Sequence, residues 1–148
     1  MYIVKNVSGN PAYAEEIHNL DFQCFPDDFW SLQLIQKELS DTRAIYLVCL
    51  FENRVVGYIN ANSVLDEAEL NRVAVCEQYR RSGIATLLMD ELTKLVQLKG
   101  CVRINLEVRK SNFAARKLYS GYGYIENTIR PNYYQNPVDD AVLMSFDF

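Results

Sequence analysis

Metal-binding spacings are missing from this chain. Its four cysteines, Cys24, Cys49, Cys76 and Cys101, never form a C-x-x-C pair, and His18 is the only imidazole that could join them; no metal site is expected. Cys49 and Cys101 fall in strand-like runs and read as ordinary buried thiols. No apolar run approaches the roughly 18 residues of a membrane span, and nothing after "MYIVKNVSGN" has the form of a leader, so the expectation is a cytoplasmic protein with no membrane partner. Repeats, low-complexity tracts and long linkers are absent too. Basic charge is scarce: 15 Lys and Arg against 19 Asp and Glu leave a net charge of −4. That excludes the broad basic footprint of a nucleic-acid binder and admits a cationic amine or basic peptide as partner.

What is present is a chain of 148 residues, 49% hydrophobic, expected to be one domain over 1–148 with a real core. "YIVKNV" reads as a short strand. "NPAYAEEIHNLDFQCF" carries helix signals, with Pro11 early and Ala14, Ile17 and Asp21 on neighbouring turns. "DDFWSLQLIQKELS" repeats the pattern with Phe29, Leu32, Ile35 and Leu39. "RAIYLVCLFE" and "RVVGYINANSV", divided at Asn53, predict an antiparallel hairpin, and "AELNRVAV" a further strand. From Gly83 to Lys99, residues Ile84, Leu87, Leu88, Leu92, Leu95 and Val96 recur at helical spacing before Gly100. "CVRINLEV" alternates with Val102, Ile104, Leu106 and Val108 on one side and Arg103, Asn105 and Glu107 on the other. A short helix from about Asn112 to Ser120, closed by Gly121, precedes two last strands, "GYIENTI" and "AVLMSFDF". The predicted order is β-α-α-β-β-β-α-β-α-β-β.

Between "LNRVAV" and "LLMDELTKLV" stands "RRSGIAT", Arg80, Arg81, Ser82, Gly83, Ile84, Ala85 and Thr86. A glycine-containing turn opening a helix leaves backbone N–H groups pointing outward, and the helix end adds roughly half a positive charge. This suits a phosphate group, with Gly83 and Ala85 small enough for close approach; a plain strand-to-helix turn is the alternative. No Gly-Lys-Ser/Thr closes the stretch and it is not G-x-G-x-x-G, so it is neither a Walker loop nor a dinucleotide fingerprint.

These residues resemble the R/Q-x-x-G-x-G/A signature of the GNAT N-acetyltransferases, and the element order is similar to that fold. "LEVRKSNFAARKLYSGYGY", "IRPNYY" and "DDAVLM", and more loosely "FPDDFW", resemble the RimI-type branch, which acetylates the N-terminal alanine of a small-subunit ribosomal protein. Such a resemblance implies an α/β fold with a mixed, mostly antiparallel sheet and helices on both faces, acetyl-coenzyme A as co-substrate and no metal. It implies that main-chain groups of Val73, Ala74 and Val75 hold the pantetheine, that the N–H groups of Arg80 to Thr86 hold the pyrophosphate, and that Asn112 contacts the co-substrate. Asn112 equally suits a helix N-cap.

Glu107 matches the family's general base and Tyr119 its general acid; by residue type alone, Glu107 also fits the polar face of a strand and Tyr119 fits packing. An attacking amine must lose a proton and the departing thiolate must gain one. Tyr133 and Tyr134 fall in a segment resembling the family's peptide-binding loop. Three positions depart from the pattern. Ala85 replaces a frequent Gly, Pro131 a common basic residue, and Arg72 stands where RimI-like chains often carry an uncharged or acidic one. An arginine there suits a carboxylate-bearing acceptor. The resemblance therefore admits a small-molecule amine, such as a polyamine, amino acid or antibiotic, as an alternative acceptor to a protein N-terminus. A non-catalytic acyl-coenzyme A-binding module is the alternative from another class, against which Glu107 and Tyr119 argue.

Overall fold

The elements of the computed structural model, which describes residues 1–148, follow the expected order: β1 (Tyr2–Asn6), α1 (Ala14–Cys24), α2 (Leu32–Leu39), β2 (Ala44–Phe51), β3 (Arg54–Val64), β4 (Glu67–Val75), α3 (Ile84–Leu98), β5 (Arg103–Arg109), α4 (Phe113–Tyr122), β6 (Ile125–Tyr134) and β7 (Asp139–Asp147). Short 3-10 turns at Pro11–Tyr13 and Glu77–Tyr79 lead into α1 and follow β4. The seven strands form one sheet in the order β1-β2-β3-β4-β5-β7-β6, antiparallel throughout except for β4 beside β5.

Helices cover both faces of the sheet. Ile17 and Leu20 of α1 and Ile35 and Leu39 of α2 pack on Tyr46, Val48 and Tyr58. Ile84, Leu88, Leu92 and Val96 of α3 pack on the opposite face with Ile104, Leu106 and Val142. Each such side chain, fully buried, adds about 1.5–3 kcal/mol to stability. Gly57 lets α3 settle against β3, since a Cβ there would lie 2.9 Å from Cγ2 of Ile84 and 3.2 Å from the Ala74 carbonyl.

Local chemistry sets the element ends. The hairpin turn uses two left-handed residues, Glu52 (φ 52°) and Asn53 (φ 62°), whose twist matches that of the flanking strands. α2 begins later than its apolar spacing predicts. The Ser31 hydroxyl accepts from the Leu34 N–H at 3.1 Å and caps the helix, leaving Phe29 outside it and 43% exposed. α4 passes through Gly121 instead of closing on it and ends at Gly123, the residue with the left-handed φ of 121°. The Gly123 and Tyr124 N–H groups then cap the Tyr119 carbonyl. Val102 precedes β5 and is exposed.

β6 is longer than predicted and takes in "RPNYY". As the edge strand it tolerates Pro131, which falls where Arg130 pairs with Ala141 and Tyr134 with Asp139 across a register shift. Asn132 inside this bulge is left-handed (φ 53°), and its N–H donates to Asp140 Oδ1 at 2.9 Å.

A second irregularity shapes the molecule's main cleft. β4 and β5 pair only over Glu67–Arg103, Ala68–Ile104 and Glu69–Asn105. Beyond that point they separate. A register shift opposite Asn60 and Ala61 turns β4 over, so that Ala68 and Leu70 face α3 whereas Ala74 faces α1 and α2.

Candidate active site

The separated ends of β4 and β5 enclose a cleft of about 690 Å³. Asn71 to Val75 line one bank. Glu107 to Arg109 line the other, with Asn112, Leu118 and Tyr119 of the α4 region behind them and Phe25 to Asp28 across the mouth.

At one end lies the turn that opens α3. Arg81 (φ 64°) and Gly83 (φ 82°) are both left-handed, and alternation of this kind points successive N–H groups to one side. The Arg80 N–H closes a turn on the Glu77 carbonyl, and the first helical bond is made by the Leu87 N–H to Gly83. Between them, no N–H from Arg81 to Thr86 donates to any group of the chain. Six consecutive free donors at a helix N-terminus suit a pyrophosphate. Ser82 spends its hydroxyl on the Tyr79 carbonyl, and Arg80 folds back, its Nε donating to the Val75 carbonyl at 3.0 Å. A Cβ at Gly83 would meet nothing within 4 Å. The position calls for glycine through its backbone angle, not through crowding by the chain itself.

The edge of β4 refines the pantetheine expectation. Cys76 N–H donates to the Val56 carbonyl at 2.8 Å, and since main-chain groups alternate along a strand, those of Ala74 also turn toward β3. Those of Val73 and Val75 turn toward the cleft. Ala74 is buried on the side of α1 and α2, and its main-chain groups turn toward β3, so the main-chain edge open to the cleft is that of Val73 and Val75. The Asn112 side-chain Oδ1 accepts from the Ala115 N–H at 3.2 Å as the N-cap of α4, while its side-chain nitrogen Nδ2 has no partner in the chain. Asn112 lines the cleft, so both roles expected for it are compatible.

Glu107 and Tyr119 line the same cleft from β5 and α4. Tyr119 is 7% exposed, and its hydroxyl makes no hydrogen bond within the chain. No fully buried polar side-chain atom lacks a partner, so that hydroxyl opens into the cleft. Burial pushes its pKa up to about 12: the phenol keeps its proton at neutral pH and has it available to donate. The Glu107 carboxylate is 3.6 Å from Arg130 Nη1, and its closeness and negative charge push the neighbouring Tyr133 phenol above its usual range.

The two tyrosines of "NYY" part ways. Tyr134 lines the cleft beneath the guanidinium of Arg109, 4.5 Å from its ring centroid, and Arg109 also donates to the carbonyls of Pro137 (2.9 Å) and Gln135 (3.0 Å). Tyr133 is 45% exposed and stands edge-on to it, beside Glu107 and Arg130.

Arg72 departs most from expectation. Its Nη1 donates to both carboxylate oxygens of Asp21 at 3.0 Å and to the Asp28 carbonyl at 3.1 Å, and its Nη2 donates to the Asp28 carboxylate at 3.0 Å. The guanidinium lies between the rings of Phe25 (4.2 Å) and Trp30 (4.4 Å). Asp21 is fully buried and also accepts from the Tyr58 hydroxyl (2.5 Å) and the Trp30 N–H (2.7 Å). One guanidinium against two carboxylates leaves a formal negative charge, so Arg72 is not the receptor for a substrate carboxylate that its position invites. A charged residue at a core position of α1 was the available signal: Asp21 needed a buried cation. The role of Arg109 carried no comparable signal.

Comparison with known proteins agrees with this architecture. The model of the acetyltransferase (GNAT) family matches residues 13–124. A [ribosomal protein bS18]-alanine N-acetyltransferase from Salmonella typhimurium is 36% identical over 105 residues, covering 70% of this chain and 71% of that protein. The crystal structure of the ribosomal-protein-S18-alanine N-acetyltransferase from Escherichia coli superposes with a TM-score of 0.88 at 26% identity, covering 99% of this chain and 94% of the other. Ard1 from Thermoplasma volcanium superposes with a TM-score of 0.84, also at 26% identity, over 99% and 97%. A GNAT family match over most of the sequence, joined to the separated β4 and β5 and the free N–H groups that open α3, establishes that the chain belongs to the GNAT family of acetyl-coenzyme A-dependent N-acetyltransferases.

Proposed function

We propose that this enzyme acetylates the α-amine of a protein N-terminus, with the N-terminal alanine of a small-subunit ribosomal protein as its acceptor. The observation that carries the reading is the 36% identity to a bS18-alanine acetyltransferase over 70% of the chain. The cleft supports it: a carboxylate and a protonated phenol face the same space from two elements.

Acetyl-coenzyme A supplies the thioester carbonyl that the amine attacks. The N–H groups of Arg81 to Thr86 hold its pyrophosphate, and along the bank of β4 Val73 offers its main-chain groups and Val75 its N–H, the Val75 carbonyl being taken by Arg80. Glu107 takes a proton from the acceptor amine, directly or through water, and Tyr119 gives its proton to the leaving sulfur. Cys24, which lines the cleft, is not needed for the transfer. An α-amine titrates near 8 and a lysine side chain near 10.4, so deprotonating lysine at neutral pH costs roughly 3 kcal/mol more. A single carboxylate base paired with Arg130 favours the α-amine.

The test is a panel. The protein is incubated with acetyl-coenzyme A and peptides beginning with alanine, their N-formylated counterparts, spermidine and free amino acids, and products are mapped by mass spectrometry. Transfer to the free α-amine of the alanine peptides is expected. Robust acetylation of spermidine or a free amino acid, with none of any N-terminal peptide, would overturn the acceptor assignment and leave the enzyme class standing.

A further inference from the structure

We propose that Arg72 is a positioning residue that holds the α1–α2 connection as one wall of the acceptor entrance. The inference rests on the amine acetylation proposed above. The first part of the argument is register. Glu69 of β4 pairs with Asn105 of β5, so two residues further along, where the strands have parted, Glu107 lies across the cleft from Asn71 and Arg72. The nest before α3 lies at the other end of the same bank, beyond Val75. Arg72 therefore marks the end of the cleft where the amine, not the pyrophosphate, must enter.

The second part is what Arg72 holds. Phe25 to Trp30 contain no helix or strand, and loops without such support lie at the low end of local stability. This segment is nonetheless fixed at four points by one side chain: the rings of Phe25 and Trp30 on either side, and the carbonyl and carboxylate of Asp28. Asp21, buried beneath it, orients the guanidinium and bonds the Trp30 N–H as well. Phe25 to Asp28 line the cleft, with Glu107 and Tyr134 among the residues of the opposite wall. Lysine at position 72 would keep the charge and lose both the fork and the planar stacking. Arg109 acts in parallel on the far bank, where it carries Tyr134 and the carbonyls of Gln135 and Pro137.

The experiment uses Arg72→Lys and Asp28→Ala in the full chain. Asp28 is the outermost link, its side chain 79% exposed, so its removal leaves the core untouched. Trp30 is the only tryptophan and reports the wall directly by fluorescence. Arg72→Lys is expected to raise the KM for the acceptor by about tenfold or more, the scale on which misplaced substrates lose rate. The KM for acetyl-coenzyme A should stay within about twofold, and Trp30 emission should shift to the red. Asp28→Ala should change the acceptor KM in the same direction by less. An unchanged acceptor KM in both variants, or equal rises in both KM values, would overturn the assignment; if Arg72→Lys fails to fold, Asp28→Ala decides. Should the wild-type protein acetylate some other amine in place of N-terminal peptides, the proposed function falls, and the same KM comparison made with that amine still decides the role of Arg72.

Discussion

Arg72 and Asp21, 51 residues apart in the chain, meet with Nη1 at 3.0 Å from both carboxylate oxygens, in a site where Asp21 has no solvent exposure. Removing the Asp21 carboxylate leaves the Tyr58 hydroxyl and the Trp30 N–H without their acceptor and Arg72 with Asp28 alone. Asp21→Ala should therefore destabilise the fold by about 3–5 kcal/mol, measured by urea denaturation. A loss of under about 1 kcal/mol, the scale of an exposed pair, would show that water replaces the carboxylate.

Gly83 separates two effects that a substitution usually mixes. Gly83→Ala meets no neighbour and carries only the left-handed backbone penalty of roughly 1–2 kcal/mol, so it should lower stability modestly. Gly83→Glu adds bulk and negative charge in the open space where the N–H groups converge, and calorimetry should find coenzyme A binding lost or severely weakened. Unchanged affinity in Gly83→Glu would remove the pyrophosphate assignment from this turn.

Glu107→Gln keeps the shape of the proposed base and removes its proton affinity, so turnover should fall by about 10²–10⁴. Tyr119→Phe should lower turnover while leaving coenzyme A affinity nearly intact. Because burial holds the Tyr119 pKa at about 12, the proton donor persists through pH 10 or so, where an ordinary phenol ionises. The alkaline limb of kcat should therefore show no loss in that range. Full turnover in both variants would mean that positioning alone suffices.

N-formylation offers the sharpest test of the acceptor. Blocking the α-amine of an alanine peptide should abolish transfer even where internal lysines remain, because their deprotonation costs roughly 3 kcal/mol more. Acetylated lysine in the blocked peptide, detected by mass spectrometry, would refute the preference.

Alkaline stability follows from phenols. Burial raises the titration of Tyr46, Tyr58, Tyr124 and Tyr119, the last to about 12. The folded state thus retains protons that the unfolded chain releases from about pH 10 upward. Their contribution is fully present below that pH and is lost as pH rises through the folded values. Thermal unfolding should show a midpoint falling steeply above about pH 10, and Tyr58→Phe should blunt the fall. A midpoint flat to pH 12 or so would contradict the assignment of these hydroxyls as buried acids.

The order of all the helices and strands was legible because each carries its own period: alternation along Arg103–Arg109, 3.6-residue recurrence along Ile84–Leu98. The turn of free N–H groups before α3 was legible through one glycine before a helix. Element ends were less so. Ser31 and Gly123 fix the ends of α2 and α4 through caps that compete with equally plausible neighbours, Asp27 or Asp28 and Gly121. Long-range facts were the least accessible. The shift that turns β4 over between Leu70 and Ala74, and so separates Val73 and Val75 from Ala74 by role, depends on register with β3, which no local pattern encodes. For the same reason Arg72 read as a free cation near an acceptor, when its partners lie on α1 and in the connection after it.

The three residue pairs joining β4 to β5 give the sheet a seam. Along it, backbone hydrogen bonds between strands β1–β4 and strands β5, β7 and β6 are few, and the remainder of the bond line is open. A ligand held as proposed, by the edge of β4 on one side and Asn112 on the other, would act as a rivet across that seam. By mass action each tenfold excess of such a ligand over its Kd adds about 1.4 kcal/mol to apparent stability. The supply of coenzyme A would then set how long the folded chain survives, quite apart from how fast it turns over.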